Sequence, residues 1–97
     1  MTKQPNSDST ATPVSKATET FGQRVRARRE ALGLSQEKLA DLCELHWSYV
    51  GQIERGRRNL TLHNILILAA GLQVDPAELV QGLPAPKPEE RKRTGPA

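Results

Sequence analysis

Ninety-seven residues allow one globular unit with some tail and exclude a multidomain enzyme; with 36% apolar and 3% aromatic residues, the core must be modest and aliphatic. The lone Cys43 and two histidines leave no disulfide or metal-ligand cluster, and no apolar run nears the roughly 18 residues of a membrane span or forms a signal peptide. The net charge of +3 permits a nucleic-acid partner without demanding one, so the distribution of charge matters more than its sum.

Residues 1–18 are rich in Ser, Thr, Asn, Pro and Ala without apolar periodicity, and are expected to form a disordered arm. Helix 1 is predicted from about Glu19 or Phe21 to Leu32, with Phe21, Val25 and Leu32 at helical spacing and Gly33 as the residue that turns the chain out of the helix. Ser35 is the expected cap of helix 2, Gln36–Cys43, whose apolar edge is Leu39, Ala40 and Cys43. Only Glu44 and Leu45 separate it from helix 3, His46 to about Arg55, with Val50 and Ile53 inward and Gly56 as its stop. Thr61 caps helix 4, Leu62–Ala70, which Gly71 is expected to close. Asp75, Pro76 and Glu78 are three start signals for a short last helix ending at Gly82. Residues 83–97, with Pro84, Pro86 and Pro88 too close together for a helix, are expected to be a second disordered tail, leaving residues 19–82 as the folded domain.

Residues 21–82 carry eight Lys or Arg and seven Asp or Glu, and seven of the eight cations lie in two clusters, Arg24–Arg29 and Arg55–Arg58. A near-neutral domain with two arginine patches suits local phosphate contact. Helices 2 and 3, joined by a turn of a few residues, form a helix-turn-helix arrangement: small Ala40 lets one helix cross the other, while His46, Trp47, Ser48, Gly51 and Gln52 present short polar groups able to reach base edges.

From Phe21 to Leu79 the chain resembles the Cro/C1-type helix-turn-helix (XRE) family, on the motifs LGLSQEKLA, YVGQIERG and AAGLQVDP. The stretch from Glu54 to Val74 is similar to controller proteins of restriction–modification systems. The resemblance implies an all-α, compact five-helix fold like that of lambda repressor. It also implies a sequence-specific double-stranded DNA-binding transcriptional regulator, a repressor or autoregulator, that binds a palindromic operator as a homodimer in the cytoplasm. No cofactor, metal, small-molecule ligand or membrane partner is expected, and no nucleophile–base pair or paired carboxylates mark an enzyme. The competing reading is an antitoxin or other interaction module whose tails bind a partner protein, although neither tail has the pattern of a partner-binding helix.

By the same resemblance His46, Trp47, Ser48 and Gln52 are the candidate base readers, and Gln36, Tyr49, Arg57, Arg58 and Asn59 the candidate phosphate contacts. Trp47 stands where the family commonly has Gln, Arg or Ser, and two roles stay open for it: contact with thymine methyls or sugars, or cover beside Leu45. Glu44 stands at a turn position that the family usually gives to glycine. Arg29 and Glu54 match a family ion pair joining helix 1 to helix 3, and are the charges nearest the Val25/Leu32 and Val50/Ile53 stripes. Helix 4 carries apolar residues on more faces than one core can cover, so Ile67, with Leu68 or Leu72 beside it, is the expected dimer surface.

Overall fold

The computed structural model describes residues 12–93 as five α-helices and one short 3-10 helix, with no strand among the described residues. They are α1 (Lys16–Ala31), α2 (Gln36–Cys43), α3 (Trp47–Glu54), α4 (Leu62–Leu72), α5 (Pro76–Val80) and the 3-10 helix Glu90–Lys92. None is long and apolar enough to cross a membrane.

Each α-helix starts on a side chain that accepts from a backbone N–H the helix cannot satisfy itself: Ser15, Ser35, His46, Thr61 and Asp75. The first four helices share one ending. A residue at positive φ follows the last turn, and the next N–H returns to a carbonyl five residues back: Leu34 to Arg29, Leu45 to Ala40, Arg57 to Gln52 and Val74 to Ala69. Glycine supplies that residue at Gly33 and Gly56, but Glu44 (φ 56°) and Gln73 (φ 58°) supply it after α2 and α4.

Two boundaries differ from the sequence reading. Helix α4 does not stop at Gly71 but runs on to Leu72, because Gly71 serves close packing: a Cβ there would stand 2.5 Å from Cys43 Sγ. Helix α1 starts at Lys16, ahead of Glu19 or Phe21, because Ser15 and Thr18 exchange bonds as a capping box and Gly56 O accepts from both Val14 N and Thr18 Oγ1. Residues 13–18 and, after α5, Leu83 and Glu90 make contacts with the domain, while 84–89 and 91–93 are exposed; the rest of the segments read above as tails, 1–11 and 94–97, lies outside the described residues. Composition measures only how much apolar surface a segment can bury, and these segments are held by caps and carboxylate–amide bonds instead.

The core gathers Phe21 and Val25 of α1, Leu39, Ala40 and Cys43 of α2, Val50 and Ile53 of α3, Leu68, Ala69 and Leu72 of α4 and Leu79 of α5. Helix α3 lies between α1 and α2, which fixes its long axis while its first turn stays at the surface.

Candidate nucleic-acid interface

Three residues, Glu44, Leu45 and His46, turn the chain from α2 into α3. Glu44 takes the left-handed conformation, Leu45 packs on the core, and His46 caps α3: its Nδ1 accepts from Ser48 N at 3.2 Å and lies 2.7 Å from Ser48 Oγ. The His46 and Trp47 rings stack, centroids 5.7 Å apart, and Trp47 remains 56% exposed. His46 and Trp47 thus form an exposed polar and aromatic tip, with half-buried Ser48 beside it, at the start of a helix whose Val50, Ile53 and Glu54 are buried.

The next turn of α3 joins the loop that follows it. Arg58 Nε donates to Gln52 Oε1, and the Arg58 guanidinium sits 5.0 Å from the Tyr49 ring centroid, within cation–π range. The Tyr49 hydroxyl accepts from Asn64 Nδ2 at 3.0 Å, so α4 steadies the ring that supports Arg58. The structure therefore joins Gln52 and Arg58, which the sequence assigns to different tasks. Asn59 is exposed, Arg57 half-buried.

Behind this surface Arg29 and Glu54 make a bidentate pair, Nε to Oε2 at 2.6 Å and Nη2 to Oε1 at 3.0 Å, with side chains 11% and 3% exposed. The Glu54 carboxylate holds the guanidinium charged and lifts its pKa above the ordinary arginine value, against the opposing effect of burial. Gln36, at the first turn of α2, donates its Nε2 to the same Glu54 Oε1 at 3.0 Å. Its amide oxygen lies near buried Gly51, where a Cβ would stand 3.5 Å from it and 3.4 Å from Arg55 Nη1. Arg55, exposed and beside Gln36, belongs to this face; the sequence reading counts it in the Arg55–Arg58 cluster without naming it among the single phosphate contacts.

The first arginine cluster is not a phosphate patch. Arg24 Nη1 donates to the Leu79 and Gln81 carbonyls at the end of α5, Arg28 to those of Leu72 and Gln73 at the end of α4, Arg26 pairs with Glu30, and Arg29 with Glu54. Cations on helix C-terminal carbonyls satisfy orphan acceptors and complement the helix dipole. The second cluster follows α3, with Arg55 exposed and Arg57 and Arg58 half-buried.

The expected dimer surface needs a correction too. Leu68 and Leu72 are fully buried, Ile67 is half-buried, and the exposed leucines of α4 are Leu62 (70%) and Leu66 (46%), one turn apart. The core draws in Leu68, Ala69 and Leu72, so the outward apolar face of α4 falls on Leu62 and Leu66. Among the described residues no group of His, Cys, Asp or Glu could hold a metal ion.

The helix-turn-helix family profile matches residues 25–79. Control protein C.BamHI of Bacillus amyloliquefaciens is 48% identical over 61 residues, 62% of this chain and 75% of the relative. The restriction-modification controller protein C.AhdI from Aeromonas hydrophila superposes with a TM-score of 0.63 at 56% identity, over 64% of this chain and 94% of that one. The P22 c2 repressor, solved in complex with a synthetic operator, superposes with a TM-score of 0.60 at 32% identity, again over 64% of this chain and 94% of its own. The matched region runs from the middle of α1 into α5 and contains the whole α2–α3 corner, so the chain belongs to the Cro/C1-type helix-turn-helix family and is a DNA-binding transcriptional regulator.

Proposed function

We propose that this regulator reads a palindromic operator as a homodimer with α3 in the major groove, acting in the cytoplasm as a repressor or autoregulator. The observation that carries the reading is the exposed His46–Trp47 start of α3, with half-buried Ser48, Tyr49 and Gln52 beside it, flanked by Arg55, Arg57 and Arg58, on a helix whose opposite face, Val50, Ile53 and Glu54, is buried. His46, Trp47, Ser48 and Gln52 face base edges; Gln36 through the amide N–H it does not give to Glu54, with Arg55, Arg57, Arg58 and Asn59, holds phosphates, and Tyr49 serves as the platform under Arg58. The control-protein and repressor names of its relatives support the regulatory role. Leu62 and Leu66 supply the apolar patch for a two-fold contact, with half-buried Ile67 beside it.

Selection of bound duplexes from a random pool tests the whole proposal. The expected product is an inverted repeat whose half-sites lie about 34 Å apart, one helical turn. Gln52→Ala should then cost on the order of 1–3 kcal/mol on that site and relax one position in each half-site. Enrichment of a single asymmetric sequence would remove the dimer, and no enrichment would remove base reading by α3.

A further inference from the structure

The segment after α5 takes no part in base reading by α3, yet it is built onto the domain at a particular place. Gly82, at φ 73°, turns the chain, and Leu83 packs against the core. Pro84, Pro86 and Pro88 stiffen the next stretch of chain, which lowers the entropy lost when it lies down. Glu90 is the anchor: one carboxylate oxygen accepts from Lys87 N at 2.9 Å and the other from Lys16 N at 3.1 Å, in the first turn of α1. These N–H donors, Lys87 first, hold the carboxyl below its ordinary range. Arg91 Nε closes the turn on Pro86 O at 3.2 Å.

That first turn of α1 is tied to Gly56 O through Val14 and Thr18, and Gly56 immediately precedes Arg57. The strap and the loop after α3 consequently face one another across a groove of about 390 Å³, with Asn59 and Leu60 on one wall and Arg91 and Arg93 on the other. The Glu90 charge is spent on backbone amides, while Arg91, Lys92 and Arg93 are exposed.

We propose that residues 83–93 form a strap that presents Arg91 and Arg93 to the DNA backbone, extending the phosphate track of Arg57–Asn59 beyond the helix-turn-helix unit. The proposal rests on DNA binding by α3 and adds a second, sequence-independent contact to it. A backbone partner is favoured because the strap adds cations beside a loop that is itself cationic, and the duplex carries one negative charge per roughly 1.7 Å of axis. A guanidinium has five N–H donors, so the single bond from Arg91 to Pro86 leaves it able to hold a phosphate.

The test is the salt dependence of binding by the full chain to its selected duplex and to a scrambled one. Arg91→Gln/Arg93→Gln should lower the slope of log K against log salt by about two units per protomer, weaken both duplexes alike and leave the melting curve unchanged. Glu90→Ala separates a docked strap from a loose basic tail, because it makes the chain more positive while removing the anchor. A docked strap predicts several-fold weaker binding at low salt; a loose tail predicts equal or tighter binding. A parental slope in the double variant, or Glu90→Ala binding at least as tightly as the parent, overturns the strap and leaves recognition by α3 standing. A parent chain that binds neither duplex overturns both.

Discussion

Two of the helix contacts in this domain, α1 against α3 and α2 against α4, are fixed by different means. In the first pair backbone meets backbone: a Cβ at Gly22 would fall 2.2 Å from the Ile53 carbonyl oxygen, and the Arg29–Glu54 pair spans the same contact. In the second pair Gly71 faces a side-chain atom, Cys43 Sγ, and no ion pair crosses among the described residues. A carbonyl inside a helix cannot move without moving the helix, whereas a thiol can rotate. Helix α3, the proposed base reader, thus belongs to the rigid pair, and the pair with more give carries the exposed leucines of α4. Rigid support matters there because a base reader displaced by about an ångström no longer meets its acceptor at hydrogen-bond distance.

The ion pair offers the largest break. Glu54→Ala leaves the Arg29 guanidinium and the Gln36 amide facing a hole, and should cost about 3–5 kcal/mol, a large part of the roughly 5–15 kcal/mol a domain has. Urea titration followed by circular dichroism measures it, and a midpoint close to the parent's would mean that water reaches the pair and that α1 does not hold α3 through it.

The two glycine contacts sharpen the comparison at smaller cost. Gly22→Ala should destabilise by about 3 kcal/mol or more, since nothing but backbone can yield. Gly71→Ala should cost about 1 kcal/mol, overpacking against Cys43 being offset by the better helix propensity of alanine. Adding Cys43→Ala to Gly71→Ala should recover part of that loss, while no side-chain change should recover Gly22→Ala. Equal costs at the two glycines would erase the distinction between the pairs.

What the sequence disclosed about these pairs depends on how local each interaction is. Ser35, Thr61 and Asp75 were legible as caps because a cap bonds an amide two or three residues away. Gly71 misled because glycine marks both a left-handed turn and a close approach, and only the tertiary neighbour Cys43 tells which. Leu68 and Leu72 misled because α4 is apolar on several faces, so the period alone could not choose the buried one. Arg24 and Arg28 reach carbonyls 55 and 44 residues away, and no spacing rule carries a bond of that range. The five-helix order and the α2–α3 corner were readable because each rests on a short pattern of caps, apolar spacing and glycine.

The smallest expected effect concerns the ends of α2 and α4, the two left-handed residues that are not glycine. For Glu44 and Gln73 the Cβ crowds the backbone, at about 1 kcal/mol or somewhat more each. Glycine removes that cost but returns about 0.4–1 kcal/mol through the greater freedom of its unfolded chain. The balance favours Glu44→Gly and Gln73→Gly by a few tenths of a kcal/mol each, raising Tm by a degree or more for a domain of this size. Both backbone N–H bonds survive, Glu44 to Asp41 O and Gln73 to Ala70 O, and the sites share no partner, so the gains should add. Gly33 provides the calibration: it has φ 72° and nothing within 4 Å of the place a methyl would occupy, so Gly33→Ala isolates the conformational cost and should lower Tm by a comparable amount. A drop in Tm for Glu44→Gly alongside a rise for Gln73→Gly would show that the Glu44 side chain contributes to the corner before α3 in a way its exposed position does not reveal, and would place the two helix ends in different classes.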